Sequence, residues 1–591
     1  MHAQDTPGYA RDTPIADAEF EITELDPLNI SKIKDGHYFI DFGKAYFGTV
    51  LIRSRKHKQE KLVLHVGEKL SSSSQIDRNP EGTIRYQSVE IPTLEANQLM
   101  SLELKPYKRN TRPPAIILPD SFGVVLPFRY CEIENLQGSI DDIDIWQKAF
   151  HYKFNDDLSS FSSSDSILDA IWELCKHSIK ATSFAGYYID GDRERIPYEA
   201  DAYINQLSHY SVDTVYSLAR RTNEYFIDHP TWPTEWILHT AMMFYTDYLY
   251  TGDPDPLSIY YNRLKAKTLE ELAREDGLIS TASPELDDKL MGRLGFSDQN
   301  QRIKDIVDWP QTERDNYEMV EINTVVNAFY YENLRIMSMI AGVVGEEEDS
   351  TGYITKANQI RQVINEKLFD EARGVYVDGE GSDHASLHAN MLPLAFDIVP
   401  EKHIESVLQK LKSKGMACSV YGAQYLLEGL LKNGASDYAL DLITDTGSDR
   451  SWWNMIETGS TISLEAWDIK YKPNLDWNHA WGTAPLNIIT RYLWGITPLT
   501  PGFSTAQIRP RLDELEFSEI TVPTIKGLIC ASFTSLSKNH KVYEINLPEN
   551  MKASFLLPGP GSEVKLNGKT VSGEQTTLLL DSGLNRIEIR D

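Results

Sequence analysis

A large helical domain set between two antiparallel β-sandwiches is the fold this sequence predicts, and three observations predict it. From about Glu19 to Gln147, short runs alternate apolar and polar residues, as in His37-Tyr-Phe-Ile-Asp-Phe42 and Lys61-Leu-Val-Leu-His-Val66. Period two is the mark of strands with one buried face. From Ile167, Leu168, Ile171, Trp172 and Leu174 the period changes to 3.6 and stays helical to about Trp494. From about Thr505 short strands return. The expected domains are therefore residues 1–155, 156–498 and 499–591.

Each element follows from its residues. The first block holds many short strands parted by polar or proline-bearing turns, which pack most readily as a sandwich. A serine-rich joint, Ser159-Ser-Phe-Ser-Ser-Ser-Asp165, ends it, and Asp165 is suited to cap the first helix. Helices are expected over 202–226, 236–250, 322–344, 355–369, 386–396, 421–431 and 480–494, with breaker-rich links such as Thr251-Gly-Asp-Pro-Asp-Pro256. In the last block Asn567-Gly568 predicts a two-residue hairpin turn.

Composition narrows the function classes. The 591 residues include 87 acids against 58 bases, a formal charge of −29 that repels polyphosphate, so nucleic acid is not an expected partner. No apolar run is long enough to span a bilayer, and membrane insertion is not expected. Cys131, Cys175, Cys418 and Cys530 are scattered, which suggests neither a metal knuckle nor a disulfide framework. The opening Met-His-Ala-Gln-Asp-Thr-Pro is polar and small, as after removal of a signal peptide. A secreted or periplasmic setting is the expectation, with the cytoplasm as the alternative. Nothing in the sequence sets the oligomeric state.

Two regions carry chemistry. Residues 190–201 read Asp-Gly-Asp-Arg-Glu-Arg-Ile-Pro-Tyr-Glu-Ala-Asp, with Tyr187 and Tyr188 before them. Carboxyls crowded among guanidinium groups would be a self-compensating loop on an ordinary surface; beside aromatic faces they suit a sugar pocket. Residues 452–481 place Trp452, Trp453, Trp467, Trp477 and Trp481 among Glu457, Glu465, Asp468, Asp476 and His479. Any one of these tryptophans is most simply core, but together they suit stacking on sugar rings. A glycosidase needs one carboxylic acid to protonate the departing oxygen and a second carboxylate to activate water or attack. Glu194 and Glu465 are the candidates. No metal or other cofactor is required for that chemistry, and His479 is expected to hydrogen-bond rather than ligate.

Arg193-Glu-Arg-Ile-Pro-Tyr-Glu-Ala-Asp201 resembles the Arg-Glu-Arg-Leu-Gly-Trp-Thr-Gly-Asp signature of glycoside hydrolase family 78, the α-L-rhamnosidases. The likeness runs along nearly the whole chain, through Asp41-Phe-Gly43, His65-Val-Gly-Glu68, Pro127-Phe-Arg-Tyr130, Phe161-Ser-Ser-Ser-Asp165, Glu465-Ala-Trp-Asp468, Asn478-His-Ala480, Trp494-Gly-Ile496 and Ile508-Arg-Pro510. The resemblance implies an (α/α)6 barrel between β-sandwiches and inverting hydrolysis of terminal α-L-rhamnose. It implies Glu194 as general acid and Glu465 as general base, with Asp190, Arg193, Asp201 and His479 binding the sugar and Trp236 and Trp309 in the aromatic pocket. Tyr198 and Trp477 are further sugar-contact candidates from the two regions above. Inversion requires the two carboxyl groups to stand roughly 6.5 to 9.5 Å apart.

The chain departs from the signature at Pro197-Tyr198, at Leu464 and Ala466 near the base, and at Glu199, an added carboxylate that rivals Glu194 for the acid role. The segment Asp190-Gly-Asp-Arg193 is one residue shorter than in the family, which puts the placing of Asp190 in question. The acidic surface disfavours polyuronate substrates unless Arg193, Arg195 or Arg314 offsets it locally. Two other readings remain: a glycosidase of the same fold for a different deoxy-sugar or a uronate-linked glycan, and a silent carbohydrate-binding protein, which would be expected to lack one of the two glutamates.

Overall fold

The computed structural model describes residues 19–298, 300–557, 562–571 and 575–590; the N-terminal stretch considered for targeting lies outside them. The first block is built on an antiparallel eight-stranded sheet, with a two-stranded sheet of Leu70–Ser72 and Gln75–Ile76 beside it. Its centre is the 18-residue strand His37–Ser54, long enough to pair with three other strands besides Leu126–Glu134. The register of that central pairing shifts between Asp41 and Tyr46, as at a bulge. Ile40, Val50, Ile52, Leu64, Val66, Phe128 and Ile133 fill one buried cluster, as the period-two pattern requires.

The serine-rich joint has a second job. Ser160–Ser163 is an edge strand, paired antiparallel with Phe517–Thr524 of the C-terminal sheet. It ties the two ends of the helical domain together before Asp165 caps the helix Ser166–Thr182 with hydrogen bonds from Ile167 N and Leu168 N at 2.9 and 3.2 Å. The long helix expected over 202–226 is two, Glu199–Tyr210 and Ser217–Asp228, since Asp213 turns back to cap the N–H groups of Asn155 and Thr214. Local hydrogen bonding of this kind competes with helix propagation. Thr324–Val344 packs against Glu347–Lys367, followed by Leu387–Ala395, Gly422–Lys432 and, near the end, Ala484–Ile488. Among the described residues no helix is long and apolar enough to cross a membrane.

The C-terminal block has a seven-stranded and a four-stranded sheet. It is antiparallel except where Thr505–Ile508 runs parallel to Lys552–Leu556. Asn567 and Gly568 adopt φ of 51° and 78°, as the predicted hairpin turn between Glu563–Leu566 and Lys569–Thr570 demands. The four cysteines are free.

Candidate active site

The two acid-rich regions meet. Residues 190–198 form the irregular entry to the helix Glu199–Tyr210 and lie against residues 474–479. Gly191, at φ 109°, allows this approach, because a Cβ there would stand 2.8 Å from Asn478 O and 3.0 Å from Asp476 Oδ2. Asp192 N then donates to Asn478 Oδ1 at 2.7 Å, and Asn478 Nδ2 donates to Glu68 of the N-terminal sheet at 3.0 Å. Burial pushes the Glu68 carboxyl up to about 8.

Around this seam a pocket of about 310 Å³ opens. Asp190, Arg193, Glu194, Tyr198, Asp201, Trp236, Trp309, Glu465 and His479, all singled out from sequence, line it. Trp477 does not; it is buried outside the pocket with Lys69 over its ring at 5.6 Å. Trp452 and Trp467 are core, in edge contact with each other at 4.9 Å, and their indole N–H groups donate to Gly482 O and Cys418 O. Glu457 is exposed away from the pocket.

Arg193 organises the pocket floor. Its two terminal nitrogens donate to the two oxygens of Glu465, each at 2.5 Å, while its Nε stands 3.7 Å from Glu194. One guanidinium thus touches both candidate glutamates. Burial works against its charge, but the hydrogen bonds and charge of Glu465 outweigh this and raise the guanidinium above its usual value. Lys472 Nζ adds a second cation 3.3 Å from Glu465. Trp481 fixes the backbone there by donating from its indole to Glu465 O at 2.9 Å.

On the opposite side His479 Nε2 lies 2.7 Å from Asp201, and Nδ1 lies 3.4 Å from Asp476. Burial disfavours the imidazolium, yet the two carboxylates prevail and push His479 up to about 10, so it is charged at neutral pH. The shortened segment does not remove Asp190: its Oδ1 accepts from Ile196 N at 2.9 Å, and its buried Oδ2 has no partner. Burial drives that carboxyl well above the ordinary range, against the pull of His479 and Arg193.

The rival Glu199 is turned away from the pocket. Its carboxylate accepts from Thr231 N at 3.0 Å and from the Thr231 hydroxyl, within the electrostatic reach of Lys267. Asp192 is equally structural, held by Arg85 at 2.5 Å and Arg195 at 2.6 Å. Glu465, Asp476 and His479 stand close enough to share an ion, but Arg193 and Lys472 already compensate Glu465, and a protonated His479 donates rather than ligates.

The aromatic walls are positioned from below. Trp236 sits in the short helix Thr234–Ile237, in edge contact with Tyr198 at 5.4 Å. Its neighbour Glu235, pushed up to about 8 by burial, accepts from Ile306 N and Val307 N and so fixes the loop that carries Trp309.

Sequence reasoning missed Trp232, Lys472, Asn474 and Arg109 among the lining residues and named Trp481 only as one of a group. The run Trp232-Pro-Thr-Glu-Trp236 was the available signal for the first. Arg109 had none: it comes from a loop of the N-terminal domain and ion-pairs with Glu194, whose other oxygen accepts from Tyr198 Oη at 3.1 Å.

Comparison with known proteins identifies the family. The family model for the bacterial alpha-L-rhamnosidase 6 hairpin glycosidase domain matches residues 156–493, and that for the bacterial alpha-L-rhamnosidase C-terminal domain matches residues 495–572. A curated alpha-L-rhamnosidase of Formosa agariphila is 23% identical over 386 residues, 62% of this chain and 37% of that protein. The solved alpha-L-rhamnosidase of Dictyoglumus thermophilum superposes with a TM-score of 0.76 at 18% identity, over 96% of this chain and 64% of that one. That of Streptomyces avermitilis, complexed with L-rhamnose, gives 0.74 at 16% identity, over 97% and 54%. The chain therefore spans less than two thirds of the length of these relatives. The superpositions speak for the fold, a helical domain between antiparallel sheet domains; with family models covering more than half of the residues, the chain belongs to the bacterial α-L-rhamnosidases, glycoside hydrolase family 78.

Proposed function

We propose that this chain hydrolyses terminal α-L-rhamnosides with inversion, on a helical domain closed as an (α/α)6 barrel. The observation that carries the reading is the convergence of Glu194 and Glu465 on one pocket of about 310 Å³ walled by Trp232, Trp236, Trp309 and Trp481. Glu194, partly open to solvent at the mouth, protonates the departing oxygen. Glu465, oriented at the floor by Arg193, takes the proton of the water that attacks C1 from the far side. Asp190, its carboxyl driven well above the ordinary range by burial, has its free Oδ2 to offer a ring hydroxyl. His479 and Asp201 meet the polar edge of the sugar, and Tyr198 keeps Glu194 aimed.

Rhamnose ends in a methyl where common hexoses carry a hydroxymethyl. Against an indole wall that extra hydroxyl would lose its hydrogen bonds, a penalty of about 1–3 kcal/mol. A different deoxy-sugar shares the methyl, so a panel of aryl glycosides belongs in the test.

The decisive experiment follows hydrolysis of an aryl α-L-rhamnoside by NMR for the wild type, Glu194→Gln and Glu465→Gln. β-L-Rhamnose should appear first, and each variant should lose about 100- to 10,000-fold in kcat/KM. Initial release of the α-anomer, or an active Glu194→Gln enzyme, would refute the assignment.

A further inference from the structure

We propose that the leaving-group side of this site is built for an acidic sugar, a uronate whose oxygen is rhamnosylated; this rests on the glycosidase reading above. A second cavity, of about 800 Å³, adjoins the pocket and shares Arg109 and Glu194 with it. Lys108, Arg109 and Arg112 line it, and Glu194 is the sole carboxyl among its lining residues. In a chain of net charge −29, three cations facing one groove run against the composition. Among the described residues neither Lys108 nor Arg112 has an ion-pair partner, and the one carboxylate that Arg109 meets is Glu194. The arginines expected from sequence to offset the acidic surface are committed elsewhere: Arg193 to Glu465, Arg195 to Asp192 and Arg314 to Asp308 O.

The groove is held in place rather than loosely presented. Arg85 lies over the Tyr107 ring at 4.0 Å, buried Asn110 donates to Asp192 O at 2.5 Å, and Ile116 N donates to Arg195 O at 2.9 Å. These anchors fasten both ends of the cationic stretch to the segment that carries Glu194. The cations therefore continue outward from the proton donor, where the group released from the protonated oxygen must lie. Guanidinium groups match a carboxylate in shape and charge. A uronate seated there offers Arg109 a second anion and draws it from Glu194. Freed of Arg109, Glu194 takes up a proton from solvent and delivers it to the bridging oxygen, the C1–O bond breaks with its electrons on that oxygen, and water adds at C1 while Glu465 takes one of that water's protons.

The test compares kcat/KM for an α-L-rhamnosyl-uronic acid disaccharide and for its neutral methyl ester, using the whole chain. Three exposed charge pairs predict a preference for the free acid of about ten-fold at low ionic strength. The preference should shrink in ~0.5 M salt and in the Lys108→Gln/Arg112→Gln double variant. Equal kcat/KM for acid and ester, or an acid preference that neither salt nor the double variant reduces, overturns the inference while hydrolysis of the ester leaves the glycosidase reading standing. Should the double variant fold poorly, salt dependence of the wild type and selective inhibition by the free uronate over its methyl ester decide the same question. Failure to hydrolyse any rhamnoside overturns the glycosidase reading and this inference with it.

Discussion

The floor and the mouth of the pocket use the same chemistry in different solvents. At the floor, Arg193 and Glu465 keep only 6% and 2% of their side chains exposed; at the mouth, Arg109 and Glu194 keep 49% and 18%. Out of water each floor partner depends on the other, and loss of one leaves an uncompensated buried charge. At the mouth water can replace either partner, so the pair contributes little and exchanges easily. The contrast suits the proposed roles: an activating carboxylate that must not move, and a proton donor that must release Arg109 when substrate arrives.

Three measurements sharpen or break that comparison. The largest effect is expected from Arg193→Met, which leaves Glu465 buried with Lys472 alone and should cost about 3–5 kcal/mol in chemical denaturation. A loss below ~1 kcal/mol would put the floor in the same class as the mouth. Next comes pH. His479 is pushed up to about 10 in the folded chain, above its ordinary value of about 6.5. The stabilisation from its carboxylate partners is complete below about pH 6.5 and is lost as pH climbs through about 10, on the order of a few kcal/mol. Unfolding free energy measured from pH 6 to 10 should fall for the wild type and be flatter for His479→Gln; parallel curves would exclude the charged network. The smallest effect belongs to Arg109→Gln, expected to change stability by less than about 1 kcal/mol. A larger thermal shift would show the mouth pair to be structural.

Much of the fold was legible because it rests on local rules. Period two before Gln147, period 3.6 after Ile167, the Asp165 cap and the Asn567-Gly568 turn each need only neighbours in the chain. Pairing was not legible. Nothing in Ser160-Phe-Ser-Ser163 points to a strand partner more than 350 residues away, and the parallel partner of Thr505–Ile508 is equally hidden from local pattern. Identical-looking residues also parted company. Glu194 and Glu199 share one signature, but burial and Thr231 turn Glu199 into a structural carboxyl. Trp467 and Trp481 share one aromatic stretch, and packing sends the first into the core and the second to the pocket wall.

The sequence alone determined which chemistry this chain carries: its carboxyls, guanidinium groups and indoles are set in two compact runs, and residue type and spacing suffice to mark them. The tertiary structure decided what each of them does. Charge state and partner depend on what packs within a few ångströms in space, so the Arg193–Glu465 pair, the charged His479, the raised carboxyl of Asp190 and the arrival of Arg109 at Glu194 exist only once segments distant in the chain close on one another.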